Sequence, residues 1–139
     1  FDESFSWTMS KLIIGATRGG ARGVLMWNLA LNETYGPHAG GCSDCRGVVT
    51  IDSRTGAVER NQEYYAFGHA SRFVKPGAVR IGSPAQLGDL ETVAFLNRDG
   101  RRVLIVLNAG QKPSVFAIAD GPRLFKAVIP ARAAATFVW

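Results

Sequence analysis

The feature that most limits what this chain can fold into is a short apolar run, Arg22 to Asn28, alone between two helical patterns. The run does not alternate in polarity, which predicts burial on both faces, as in a parallel sheet. Parallel strands need neighbours at their edges and helices over both faces. The flanking sequence supplies the helices but no adjacent parallel strand. One such strand cannot close a sheet, so the first half of the chain reads as the tail of a larger α/β domain.

The helices are legible from spacing. Phe5, Met9, Leu12, Ile13 and Ala16 share one face of a 3.6-residue period, which predicts an amphipathic helix over residues 5–18. Gly19-Gly20 stops it. After a Gly-rich loop reaching Gly47, the runs Gly47–Asp52 and Ala57–Glu59 flank Ser53-Arg54-Thr55-Gly56, a hairpin signal. Asn61 is placed to cap a second helix, with Glu63 in its first turn favourable to the dipole. That helix is expected to reach about Val74, because Pro76 disfavours helical geometry in the residue before it.

From Pro76 onward the character changes. Val79–Ile81, Glu91–Asn97, Arg101–Asn108, Ser114–Ala119, Arg123–Ile129 and Ala134–Trp139 are β-type runs separated by turn residues, including Asn97-Arg98-Asp99-Gly100. Strands at this spacing without helices between them predict an antiparallel β-sandwich. The boundary between the two regimes is expected near Lys75–Gly77.

Composition removes several classes of function. Charged residues are 19% and hydrophobic ones 47%, which is globular rather than disordered. No apolar run approaches the roughly 20 residues of a membrane span. The opening residues lack an initiator Met and the layout of a signal peptide, so a mature product, an excised domain or a fragment is expected. The net charge is +5, but the basic residues are scattered from Lys11 to Arg132, and only Arg101-Arg102 are adjacent. A nucleic-acid footprint would cluster them, so nucleic acid is not an expected partner.

Trp27-Asn28, at the exit of the predicted strand, is the leading candidate for a ligand site. An indole face buries the C–H face of a sugar while leaving hydroxyls free, and an amide can serve those hydroxyls. Against this stand a core Trp and an Asn that serves only loop backbone. Cys42 and Cys45 form a C-x-x-C in the Gly-rich loop, with His38 ahead of them. Zinc needs further ligands, and a redox motif would open a helix, so a local disulfide is favoured over free thiols or metal. Glu33, alone among glutamates in this loop, is not expected to be catalytic. Glu59 and Glu63 read as charges about a helix start, and His69 as a packing residue. Asn32-Glu33-Thr34 is a glycosylation sequon, meaningful only in a eukaryotic secretory route.

Together, MWNLALNETYGPH, GGCSDCRGVVTID, QEYYAFGHASRFVKPGAVRIGS and the closing ATFVW resemble the C-terminal portion of glycoside hydrolase family 30, which includes glucosylceramidases and endo-β-1,6-glucanases. The resemblance implies a (β/α)8 barrel with a β-sandwich beside it. Residues 1–75 would then end the barrel, with its seventh helix, eighth strand and eighth helix, and residues 76–139 would form a partial sandwich.

It also implies a retaining β-glycosidase acting on β-glucosyl linkages, glucosylceramide-like or β-1,6-glucan. Such an enzyme uses two glutamates, after the fourth and seventh strands. Both positions precede this chain, so no catalytic residue is expected here and the chain alone should be inert. Trp27 and Asn28 would line the substrate pocket at the C-terminal end of the eighth strand. The implied partners are a carbohydrate or glycolipid substrate and the N-terminal barrel of the same protein. No cofactor or metal is implied, and the location would be extracellular, or lysosomal in a eukaryote. The alternative is a non-catalytic carbohydrate-binding or scaffolding sandwich. For that role residues 78–139 offer only Phe95, Phe116, Phe125, Phe137 and Trp139, with the Phe residues among apolar neighbours.

Overall fold

The computed structural model describes residues 3–139, so Phe1 and Asp2 of the expected first unit lie outside the described residues. The chain begins as helix α1 (Glu3–Trp7) and continues as a π-helical stretch over Thr8–Ala16. Bonding from i to i+5 widens the turn. Ile14 therefore joins Met9 and Ile13 in the buried face, while Leu12 is only half-buried. Gly15 permits the wide turn, since a Cβ there would stand 2.8 Å from the Ser10 carbonyl oxygen.

The expected strand at residues 22–28 does not form a ladder. Residues 24–30 instead alternate, with Val24, Met26, Asn28 and Ala30 half-buried and Leu25, Trp27 and Leu29 exposed at 96%, 79% and 74%. Burial on both faces is thus not seen among the described residues. Both faces are apolar, which hides the alternation in the sequence, but only one is covered by described residues. The ladder starts later, at β1 (Ala30–Asn32), inside the segment expected to be loop. It pairs in parallel with β2 (Val49–Ile51), Ala30 opposite Val49. β2 pairs antiparallel with β3 (Val58–Arg60) across the expected hairpin. In that turn Asp52 accepts hydrogen bonds from Arg54 N at 3.0 Å and Thr55 N at 2.7 Å.

Helix α2 (Gln62–Ser71) follows, three residues shorter than expected. Asn61 sits at its N-cap without capping it. Its side-chain amide donates instead to the Gly47 carbonyl at 2.8 Å and to Thr50 Oγ1 at 2.9 Å.

Beyond α2 come β4 (Val79–Ile81), β5 (Gln86–Leu87), β6 (Leu90–Leu96), β7 (Arg102–Asn108), β8 (Ser114–Asp120), β9 (Arg123–Ile129) and β10 (Ala133–Val138). The main sheet has the order β10-β7-β6-β4, with β5 also on β6, and β8-β9 form a separate hairpin. β5 is the one of these strands that the sequence patterns do not announce. Two residues between Gly and Pro turns leave too little periodicity to read.

The main sheet is covered on both sides. Val93, Phe95, Val103, Ile105 and Leu107 meet Met9, Ile13, Ile14 and Ala66 from the helices. Leu90, Ala94, Leu104 and Val106 face Ile118 and Ile129 of the hairpin. The period of two along β7 places odd residues against helices and even ones against the hairpin. Burial of each such side chain contributes about 1.5–3 kcal/mol. Polar clamps add to the helix–sheet contact. Ser10 Oγ donates to Glu91 Oε2 at 2.8 Å, and Arg18 reaches the Thr92 and Ser83 carbonyls at 2.9 and 3.0 Å. Buried Asn97 ties the end of the helical segment to the sheet, accepting from Lys75 N at 3.0 Å and donating to the Phe73 carbonyl at 2.9 Å.

Candidate functional site

The site is built on the parallel β1–β2 ladder. Val48 N donates to the Asn28 carbonyl at 3.1 Å, and Val49 N to the Leu29 carbonyl at 2.9 Å. Asn28 itself has φ of 62°, a left-handed conformation that Asn tolerates better than most residues. This turn follows Trp27 directly and leaves its indole on the outward face with Leu25 and Leu29. Among the described residues Trp27 is therefore not a core side chain. The Asn28 backbone serves the ladder, while no hydrogen bond of its side-chain amide is made among the described residues.

The loop after β1 is held by its own polar groups. Asn32 Oδ1 accepts from Thr34 N at 3.1 Å, Thr34 Oγ1 at 3.0 Å and Gly36 N at 2.7 Å. The sequon side chain thereby organises a turn. Glu33 accepts from Ser53 N at 2.9 Å and from the Ser53 hydroxyl. These bonds, the hydroxyl foremost, hold its carboxyl below the usual range. A carboxylate stabilised in its ionised form is a poor general acid. Cys42 and Cys45 are joined, with S–S 2.07 Å and Cα atoms 5.5 Å apart.

After the disulfide, Arg46 turns inward. Its guanidinium donates to Glu63 Oε1 from Nη2 at 3.1 Å and from Nε at 3.4 Å. Glu63, 5% exposed at the start of α2, is thus an ion-pair partner rather than a solvated dipole charge. Its Oε2 and the Thr8 hydroxyl are buried without hydrogen-bond partners among the described residues. Glu63, Thr8, Trp7 and Met26 line a cavity of about 290 Å³. Sequence reading missed this pair because residues 46 and 63 meet only when the loop and α2 are folded together. Glu59 lies exposed on β3.

His69 Nδ1 lies 2.8 Å from Thr136 Oγ1 of β10, and Phe5 packs edge-on against its ring. Burial lowers its pKa from the ordinary imidazole value. In the sandwich region Phe116 pairs with Phe137 and Phe125 with Trp139. The first pair meets edge to face and the second at a tilt, with Phe125 partly exposed. A second cavity, about 200 Å³, lies between the main sheet and the hairpin, lined by Leu90, Leu104, Phe116, Ile118 and Trp139 among others. No residue of the Trp27 loop borders it. No helix among the described residues is long and apolar enough to cross a membrane.

Comparison with known proteins places this geometry. Residues 77–137 match the glycosyl hydrolase family 30 β-sandwich domain. An endo-1,6-β-D-glucanase of Aspergillus fumigatus is 35% identical over 68% of this chain and 20% of its own length. The lysosomal acid glucosylceramidase of Mus musculus is 34% identical over 81% of this chain and 22% of its own. The chain therefore spans about a fifth of the length of these curated relatives. The solved structure of the endo-β1,6-glucanase BT3312 matches with a TM-score of 0.88 and 33% identity, covering 97% of this chain and 31% of that one. Sequence, fold and sandwich domain agree, and the chain belongs to glycoside hydrolase family 30.

Proposed function

We propose that this chain is the C-terminal portion of a retaining β-glycosidase acting on β-glucosyl linkages, in a glucan or a glucosylated lipid. In this reading residues 1–75 complete a (β/α)8 barrel and residues 76–139 form most of its side sandwich. The observation that carries it is the exposed Trp27 beside Asn28, whose side-chain amide has no partner among the described residues, on an extended segment whose outward face carries Leu25 and Leu29. Barrel strands have an apolar inner face of this kind and present their ligand contacts at the C-terminal end. Trp27 would stack on a sugar ring and Asn28 would hold a hydroxyl. The two catalytic carboxylates, about 5–5.5 Å apart in retaining enzymes, would come from elsewhere in the protein. Glu33 and Glu63 are already committed to Ser53 and Arg46. A secretory destination, extracellular or lysosomal, belongs to the same proposal and suits the Cys42–Cys45 disulfide.

The test has two arms. The 139-residue chain should show no turnover of an aryl β-glucoside, and measurable retaining hydrolysis would refute the assignment of the acids to other segments. In the full-length protein Trp27→Ala should lower kcat/KM about ten- to a hundredfold, the scale of one to three kcal/mol of transition-state binding. Unchanged kinetics would remove Trp27 from the pocket.

A further inference from the structure

We infer that the Arg46–Glu63 pair is a positioning device for the Trp27 wall, a role that rests on the sugar-site reading above. No side-chain hydrogen bond among the described residues fixes Trp27, so within this chain the backbone sets where the indole's Cα–Cβ bond starts and in which direction it leaves. That backbone has two legs. One is Met26–Leu29, with the left-handed turn at Asn28. The other is the returning segment Arg46–Val49, which grips the first through Val48 N to the Asn28 carbonyl and Val49 N to the Leu29 carbonyl.

Glu63 pairs with Arg46 on the returning leg and shares the lining of one cavity with Met26 of the outgoing leg. It is buried at the first turn of α2, an element packed against the core through Ala66. Asn61, just before it, adds a second anchor by donating to the Gly47 carbonyl at 2.8 Å. The start of α2 therefore fixes residues 46–47, and the ladder passes that register to Asn28 and on to the indole. The disulfide limits slack on the other side of Arg46, because Cys45 is its chain neighbour.

A pair that only stabilised the fold would act independently of Trp27; a pair that aims Trp27 has nothing to aim once the indole is gone. The experiment is a double-mutant cycle in the full-length enzyme, with Arg46→Ala and Glu63→Gln each made in the Trp27 and the Trp27→Ala backgrounds. Glu63→Gln keeps the side-chain volume and an acceptor oxygen, and so gives a reading if Arg46→Ala folds poorly. Each change should cut kcat/KM about five- to twentyfold when Trp27 is present and less than twofold when it is absent, with the same Tm shift in both backgrounds. Equal losses in both backgrounds would overturn the positioning role and leave the sugar-site reading intact. So would unchanged kcat/KM with Trp27 present while Trp27→Ala itself is damaging. A silent Trp27→Ala would overturn the sugar-site reading, and the positioning role with it.

Discussion

Two glycines should respond to the same substitution with opposite signs. A Cβ on Gly47 would stand 2.7 Å from the Val49 carbonyl oxygen, 2.8 Å from Leu31 N and 2.9 Å from Ala30 Cα. All three are backbone atoms of the β1–β2 ladder, so no flexible side chain can yield. Bringing the closest contact back to 3.4 Å means displacing residue 47 or the ladder itself. The bonds at risk are Asn61 Nδ2 to the Gly47 carbonyl and Val48 N to the Asn28 carbonyl. Each contributes about 0.5–1.5 kcal/mol when made, and more is lost if a partly buried partner is left unpaired. Gly47→Ala should therefore cost about 2–4 kcal/mol, a fall in Tm on the order of 10 °C. Gly68, inside α2, has no atom within 4 Å of an added Cβ. There Ala should add about 0.5–1 kcal/mol by helix propensity. Urea melts of the two variants, compared at constant m, check both values. A neutral Gly47→Ala would show that the close passage of the loop over β1 does not constrain this segment. Destabilisation by Gly68→Ala would show that the open side of α2 is occupied.

Ile105→Ala, at a fully buried position between sheet and helices, should destabilise by about 2–5 kcal/mol. Hydrogen exchange should then show helical and sheet amides losing protection together; loss confined to one layer would mean the layers do not fold as a unit. Burial depresses the pKa of His69, so the unfolded chain binds its proton more readily. Its contribution should be intact above the ordinary value of 6.5 and decline as pH falls through the lower folded value. Denaturation from pH 7.5 to 4.5 should show part of that slope vanishing in His69→Gln, and an identical slope in both proteins would refute the assignment. Opening the Cys42–Cys45 bridge should cost no more than about 2 kcal/mol, because the loop it closes is very short. Thermal melts with and without a phosphine reductant measure this, and a collapse of the sheet on reduction would contradict it.

Much of the fold was legible because it rests on local periodicity. β6, β7 and β9 announce themselves as apolar runs bounded by turns, and Asn97-Arg98-Asp99-Gly100 marks the tight β6–β7 connection. The N-terminal helix was legible as an amphipathic stretch, but its π-helical winding was not. Patterns of apolar residues constrain which face is buried, and the substitution of Ile14 for Leu12 in that face depends on the shape of the sheet below. Asn61 was read as a cap from its position, yet the Gly47 carbonyl competes for its side chain from a segment remote in sequence.

By itself the sequence carried the resemblance to family 30 and the positions of α2, the β2–β3 hairpin and most strands of the sandwich, and it singled out Trp27 and Asn28 as an aromatic-amide pair of the kind a sugar site uses. Those properties follow from local chemistry: an indole and an amide at an extended segment, and side chains repeating with the period of their element. Only the tertiary structure decided that the Trp27 segment presents one face outward and that its ladder begins at Ala30. It also decided that Glu63 is buried against Arg46 rather than dissolved at a helix start. The physical reason is the same in each case. Burial and ion pairing depend on which surfaces meet, and those surfaces lie many residues apart until the chain has folded.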